Sequence, residues 1–111
     1  MPDTGSLAIR TRTSTPGAVR ISCEGYLDYA TADRLTDCGQ RLLAAGCRQL
    51  ELDLSGLDLF DSSGLRSLLR IRDAVEGSGG RLRLVVSPHL ERVLHVTGLD
   101  RVFDVMTRTS W

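Results

Sequence analysis

The residues of this chain best placed to do chemistry lie in one short run, Asp61-Ser62-Ser63-Gly64, within "LDLFDSSGLRSLL". Two serines directly after a carboxylate, where a strand-like run turns helix-like, admit three uses. A hydroxyl there can cap the helix by accepting a bond from an amide two or three residues on, worth about 1 kcal/mol. It can act as a nucleophile. Or it can receive a phosphoryl group, adding about −1.5 to −2 charges beside Asp61 and changing what docks there. A phosphate near a helix start also meets a partial positive charge and open N–H groups, so the domain can carry it without unfolding.

Nucleophilic catalysis fits poorly. A nucleophile elbow needs glycine two residues before the serine, and Phe60 and Asp61 stand in those places. His89 and His95 are the only histidines. Both fall on a predicted helix, His95 near its apolar face or that face's edge, where a structural role is expected, and no acidic residue completes a metal-ligand spacing with them. All 14 basic residues are arginine, which removes the P-loop lysine, Schiff-base chemistry and a lysine general base. Cys23, Cys38 and Cys47 are odd in number and too widely spaced for a Cys-x-x-Cys motif, so they read as reduced, buried small residues. The expectation is a non-enzyme with no metal and no cofactor.

The bulk composition agrees with a binding module. With 111 residues, 41% hydrophobic and 25% charged, the chain suits one compact domain. The 14 basic residues are matched by 14 acidic ones, leaving no net field to attract nucleic acid or an anionic membrane. No apolar run approaches the roughly 18 residues of a membrane span. No signal peptide precedes the cysteines, and a cytoplasmic location is expected.

The elements that would position Asp61-Ser62 follow from periodicity. Residues 1–6 read as a loose start. "LAIRTR" (7–12) and "AVRISCEG" (18–25) read as strands of an antiparallel hairpin around Pro16-Gly17. From Thr31 the period becomes helical, with Leu35, Cys38, Leu42 and Leu43 facing in and Gly46 as the stop. In "QLELDLSGLDLF" Leu50, Leu52 and Leu54 alternate with Glu51 and Asp53, a half-buried strand. A helix is predicted from about Ser62 to Val75, with Leu65, Leu68, Leu69 and Val75 inside and Arg66, Arg70 and Asp73 outside; "GSGG" (77–80) breaks it. "RLRLVV" is a further strand. "SPHLERVLHVTG" supplies Ser87 as cap, Pro88 at the first helical position, Leu90, Val93 and Leu94 facing in, and Gly98 at the stop. "VFDV" (102–105) closes the list as a short strand. The order β-β-α-β-α-β-α-β predicts one α/β domain over residues 1–111, with a mixed sheet and helices packed against it. No internal repeat is visible.

Three separated segments resemble those of a known family, the STAS-domain anti-sigma factor antagonists, the bacterial partner-switching proteins of sporulation and stress control. They are "GYLDYATADRL" (25–35), "LELDLSGLDLFDSSGLRSLL" (50–69) and "SPHLERVLHVTGLDRVFDV" (87–105). The middle one carries the most specific pattern, hydrophobic-Asp-Ser-Ser/Thr-Gly-Leu after a strand. The resemblance implies a cytoplasmic phosphoprotein of transcription regulation that binds an anti-sigma factor serine kinase, which supplies its own ATP, so that the sigma factor is freed. Phosphorylation of the serine after the Asp, here Ser62, breaks the complex, and a serine phosphatase restores it. Asp28, Asp61, Ser62, Ser63, Gly64 and Arg66 are then the partner-binding residues.

The chain also departs from that family's pattern. Tyr26 stands where an acidic residue is usual. Asp28 either joins the partner surface or caps the following helix in competition with Thr31. Arg66 makes the outer face of the switch helix bulkier and more basic than in many relatives, which bears on the choice of kinase. The family's final helix has no counterpart before Trp111, a difference expected to go with either self-association or a change of partners. The alternative is a STAS interaction subunit of a non-sigma assembly, a stressosome-like scaffold or a transporter accessory subunit.

Overall fold

The computed structural model describes residues 6–108. Its elements run β1 (Leu7–Thr15), β2 (Ala18–Leu27), α1 (Ala32–Ala44), β3 (Gln49–Phe60), α2 (Ser62–Gly77), β4 (Arg81–Val86), α3 (Pro88–Val96), a 3-10 turn (Leu99–Arg101) and β5 (Asp104–Thr107). The five strands form one sheet in the order β1-β2-β3-β4-β5. The first pair is antiparallel and the other three are parallel, so the predicted mixed α/β sheet is the fold observed.

Because each parallel pair is adjacent both in the chain and in space, three right-handed crossovers place α1, α2 and α3 on the same face of the sheet. The burial pattern follows. Ile21, Leu50, Leu52, Leu54, Leu84 and Val86 point from the strands into one cluster with Leu35, Leu43, Leu68, Ile71, Val75, Leu90 and Leu94 from the helices. The alternate strand residues line the other face, where Arg20 pairs with Glu51 at 2.6 Å, Arg83 with Asp104 at 3.2 Å and Arg108 with Asp53 at 3.2 Å. Those ion pairs cover a face that carries no helix among the described residues.

Several expectations need adjusting. The strands of the hairpin are longer than the periodicity suggests, because antiparallel pairing carries β1 on to Thr15↔Ala18 at the turn and parallel pairing with β3 carries β2 on to Leu27↔Phe60. Ser6, placed in the loose start, accepts a bond from the Tyr26 amide at 3.0 Å; residues 1–5 lie outside the described part, as do 109–111. Helix α2 continues past Val75 to Gly77, with Ser78 as its C-cap and Gly79 at φ +76° closing the end. Its inner face is Gly64, Ser67, Leu68, Ile71 and Val75. Leu65 and Leu69, expected inside, are only half-buried, because the helix is rotated so that Ser67 meets α1.

His95 is 78% exposed and its Nδ1 lies 2.9 Å from Asp100 Oδ2, so it sits on the wet side of α3 and not at the apolar face. Cys23 and Cys47 are buried, but Cys38 is only partly so. Burial pushes the Cys23 thiol up to about 12 and also raises Cys38, although Arg41 opposes the second shift. A thiol raised in this way stays neutral at physiological pH and is a poor nucleophile.

Candidate functional site

The site begins where β3 outruns its neighbour. Pairing of β3 with β4 ends at Asp53↔Val85, while pairing with β2 continues to Leu27↔Phe60. The β2–β3 ladder is irregular at Ser22/Glu24 and at Gly25/Tyr26, and such bulges re-aim strand ends. The two strands deliver Leu27-Asp28 and Phe60-Asp61 side by side, fixed by the Asp61 amide donating to the Leu27 carbonyl at 3.2 Å. This brings the two predicted site segments, 25–35 and 50–69, to one end of the sheet.

At that end Asp61 is extended, with φ −119° and ψ −173°, and is the N-cap of α2. Its Oδ1 accepts from the Ser63 amide at 2.9 Å and the Gly64 amide at 3.2 Å. The Asp61 carbonyl takes the Leu65 amide at 3.1 Å. The cap is therefore the aspartate, and neither serine is used for it. All three residue types cap well; the strand's last hydrogen bond to Leu27 decides that the helix starts one residue after Asp61.

Ser62 is the first helical residue and is exposed. With 100° per residue, it lies almost opposite the buried line of Gly64, Ser67, Leu68, Ile71 and Val75. Its hydroxyl is the outermost group on the first turn. Ser63 is half-buried and turned toward α1. Gly64 is buried, and a Cβ there would come within 2.9 Å of the Leu27 carbonyl oxygen and 3.0 Å of Leu27 Cγ. The glycine thus lets the first turn of α2 press against the end of β2.

Asp28 and Thr31 do not cap α1 through their side chains. Asp28 Oδ1 accepts from the Ala30 amide at 3.0 Å. Thr31 Oγ1 donates to the Tyr26 carbonyl at 2.7 Å and accepts from the Asp28 amide at 3.0 Å, with Asp28 Oδ1 a second acceptor at 3.1 Å. The result is a stiff loop between β2 and α1, next to the start of α2, on which Tyr29 stands 88% exposed.

A groove of about 310 Å³ runs between the first halves of α1 and α2, bordered by Tyr29, Asp33, Ser63, Arg66 and Arg70. Arg66 and Arg70 are exposed. Neither has a carboxylate within 4.0 Å among the described residues. Below the groove floor Thr36 and Ser67 hydroxyls bond to each other at 2.7 Å, and both reach the Ala32 carbonyl, at 3.3 and 3.2 Å.

Sequence reasoning missed Tyr29, Asp33 and this Thr36–Ser67 pair. The pair was detectable in principle: a serine recurring at the helical spacing of Gly64, Leu68 and Ile71 demands a polar partner when buried. Among the described residues no three His, Cys, Asp or Glu side chains cluster as metal ligands, and no helix is long and apolar enough to cross a membrane.

A family model described as "Mlab, STAS domain" matches residues 11–107. An anti-sigma F factor antagonist from Paenibacillus polymyxa is 26% identical over 91 residues, 80% of this chain and 78% of its own length. A Bordetella bronchiseptica protein carrying the anti-sigma factor antagonist name, BtrV, is 31% identical over 87 residues, covering 77% of this chain and 75% of its own. The crystal structure of an anti-sigma factor antagonist from Mycobacterium paratuberculosis superposes with a TM-score of 0.81 at 25% identity, over 95% of this chain and 89% of that one.

Proposed function

Since the chain belongs to the STAS domain family, we propose that it acts as a cytoplasmic anti-sigma factor antagonist whose hold on an anti-sigma factor serine kinase is switched off by phosphorylation of Ser62. The observation that carries this reading is the Ser62 hydroxyl, exposed on the outermost line of α2 while Asp61 takes over the capping role. A kinase can reach it without unfolding anything. The names of the relatives support the partner class.

In the transfer, Ser62 Oγ forms the new O–P bond to the γ-phosphorus of the kinase's ATP as the bond to the β,γ-bridging oxygen breaks. ADP leaves, and the hydroxyl proton passes to the kinase's base. This chain contributes only the acceptor and the surface around it, in which Asp28, Ser63, Gly64 and Arg66 shape the contact. Asp61 shapes the loop by holding the first turn of α2. A serine phosphatase resets the system.

The test is incubation with candidate anti-sigma kinases and MgATP, followed by mass spectrometry of the peptide covering 49–70. Phosphate on Ser62 is expected, and its absence with every kinase of the host overturns the reading. Ser62→Ala should bind the kinase and stay bound in ATP, whereas Ser62→Asp should bind poorly. Equal affinities by calorimetry would contradict the charge mechanism. Kinase choice should shift with Arg66→Gly.

The family model's description, which names Mlab and not a sigma regulator, supports a second reading as an interaction subunit of a non-sigma assembly. There the complex would form equally well with Ser62→Asp.

A further inference from the structure

Phosphorylated Ser62 would stand among several carboxylates, with Arg66 and Arg70 the two cations bordering the neighbouring groove. Its own segment holds Asp61, the β2–α1 loop holds Asp28, and α1 brings Asp33 to the groove. Of the amides that usually receive an anion at a helix start, Ser63 and Gly64 are committed to Asp61 Oδ1 and Leu65 to the Asp61 carbonyl, which leaves only the uncharged N–H of Ser62 itself. A phosphate on Ser62 must therefore find its counter-charge on a side chain.

Arg66 is four residues on, and both residues are exposed on α2. Residues four apart on a helix have Cβ atoms roughly 5–6 Å from each other, and an anion preceding a cation by four is the favourable orientation. An arginine fork also matches phosphate oxygens better than a point charge does. Arg66 makes no ion pair with another described residue that it would have to give up. Arg70 lies eight residues from Ser62, more than two turns along the helix, and turned further toward the groove.

We propose that Arg66 is the built-in counter-ion of phosphorylated Ser62, drawing the phosphate along the surface of α2 and offsetting part of its charge. This rests on the reading of Ser62 as the phosphoacceptor. It adds that the modified state presents a positioned phosphate–guanidinium pair to whatever must release or dephosphorylate it.

To separate the two ideas, phosphoserine is installed at position 62 by nonsense suppression, so that no kinase is involved, and the second phosphate ionisation is followed by phosphorus NMR in low salt. The free value lies near 6. Wild type should titrate about 0.3 pH unit below Arg66→Gln, the size expected of an exposed pair at this spacing. Arg66→Lys should recover part of the shift, and Arg70→Gln should titrate with wild type. Coincident curves for wild type and Arg66→Gln overturn the proposal, as does an equal displacement in Arg70→Gln, which would report the general field of the helix. Failure of every kinase to modify Ser62 would count against the antagonist reading alone.

Discussion

At the start of α1 an aspartate and a hydroxyl residue, Asp28 and Thr31, bond to each other and to the loop backbone; at the start of α2 Asp61 holds two amides and leaves Ser62 to solvent. The ingredients match, but their spacing from the helix differs. Asp28 lies three residues before the N-cap of α1, so its carboxylate closes the turn before the helix, and the Thr31 hydroxyl is buried inside that turn. Asp61 is itself the N-cap, reached directly from a strand with no intervening loop. A carboxylate in that position satisfies the helix start and releases the next hydroxyl for use. One helix start buries its hydroxyl in the loop, and its neighbour leaves a hydroxyl in solvent.

Substitutions can break this contrast from the structural side first. Thr31→Val removes a 5% exposed hydroxyl and leaves the Asp28 amide and Tyr26 carbonyl without their partner. It should cost about 2 kcal/mol in urea unfolding. Asp61→Ala strips the acceptor of two amides and should cost about 1–2 kcal/mol, with Asp61→Asn keeping most of that stability. Gly64→Ala sets overpacking against Leu27 against a gain in helix propensity, for a net loss of about 1 kcal/mol. Ser62→Ala should fall within about 0.5 kcal/mol of wild type in the same measurement. A loss as large as that of Thr31→Val would show that the two hydroxyls have the same job.

Much of this was legible in the residues. Ser87-Pro88 announced α3 correctly, and the Ser87 hydroxyl does accept from the Leu90 amide at 3.2 Å. The change of period at Thr31 and after Phe60 located α1 and α2, and alternation in Leu50, Leu52 and Leu54 located the core side of β3. What failed were choices settled by tertiary contact. Asp61, Ser62 and Ser63 are equivalent as caps on propensity alone, and the backbone bond to Leu27 selects among them. Periodicity assigns Ser67 to neither face, because its burial depends on Thr36 across on α1 supplying a partner. Leu65 reads as inward until that pair rotates the helix. His95 is expected near the apolar face or at its edge, and it lies beyond that edge, its Nδ1 2.9 Å from Asp100 and its ring in solvent.

The sheet's spatial order repeats its order along the chain, and this has a bearing on synthesis at the ribosome. Every contact described around Ser62 involves residues between Tyr26 and Arg70, and none comes from β4, α3 or β5. Domains are laid down from the N-terminus as the chain emerges, so the scaffold around Ser62 is fully translated while the last third of the polypeptide is still unmade. The later strands then complete the cluster in which Leu84 and Val86 meet Leu68, Ile71 and Val75.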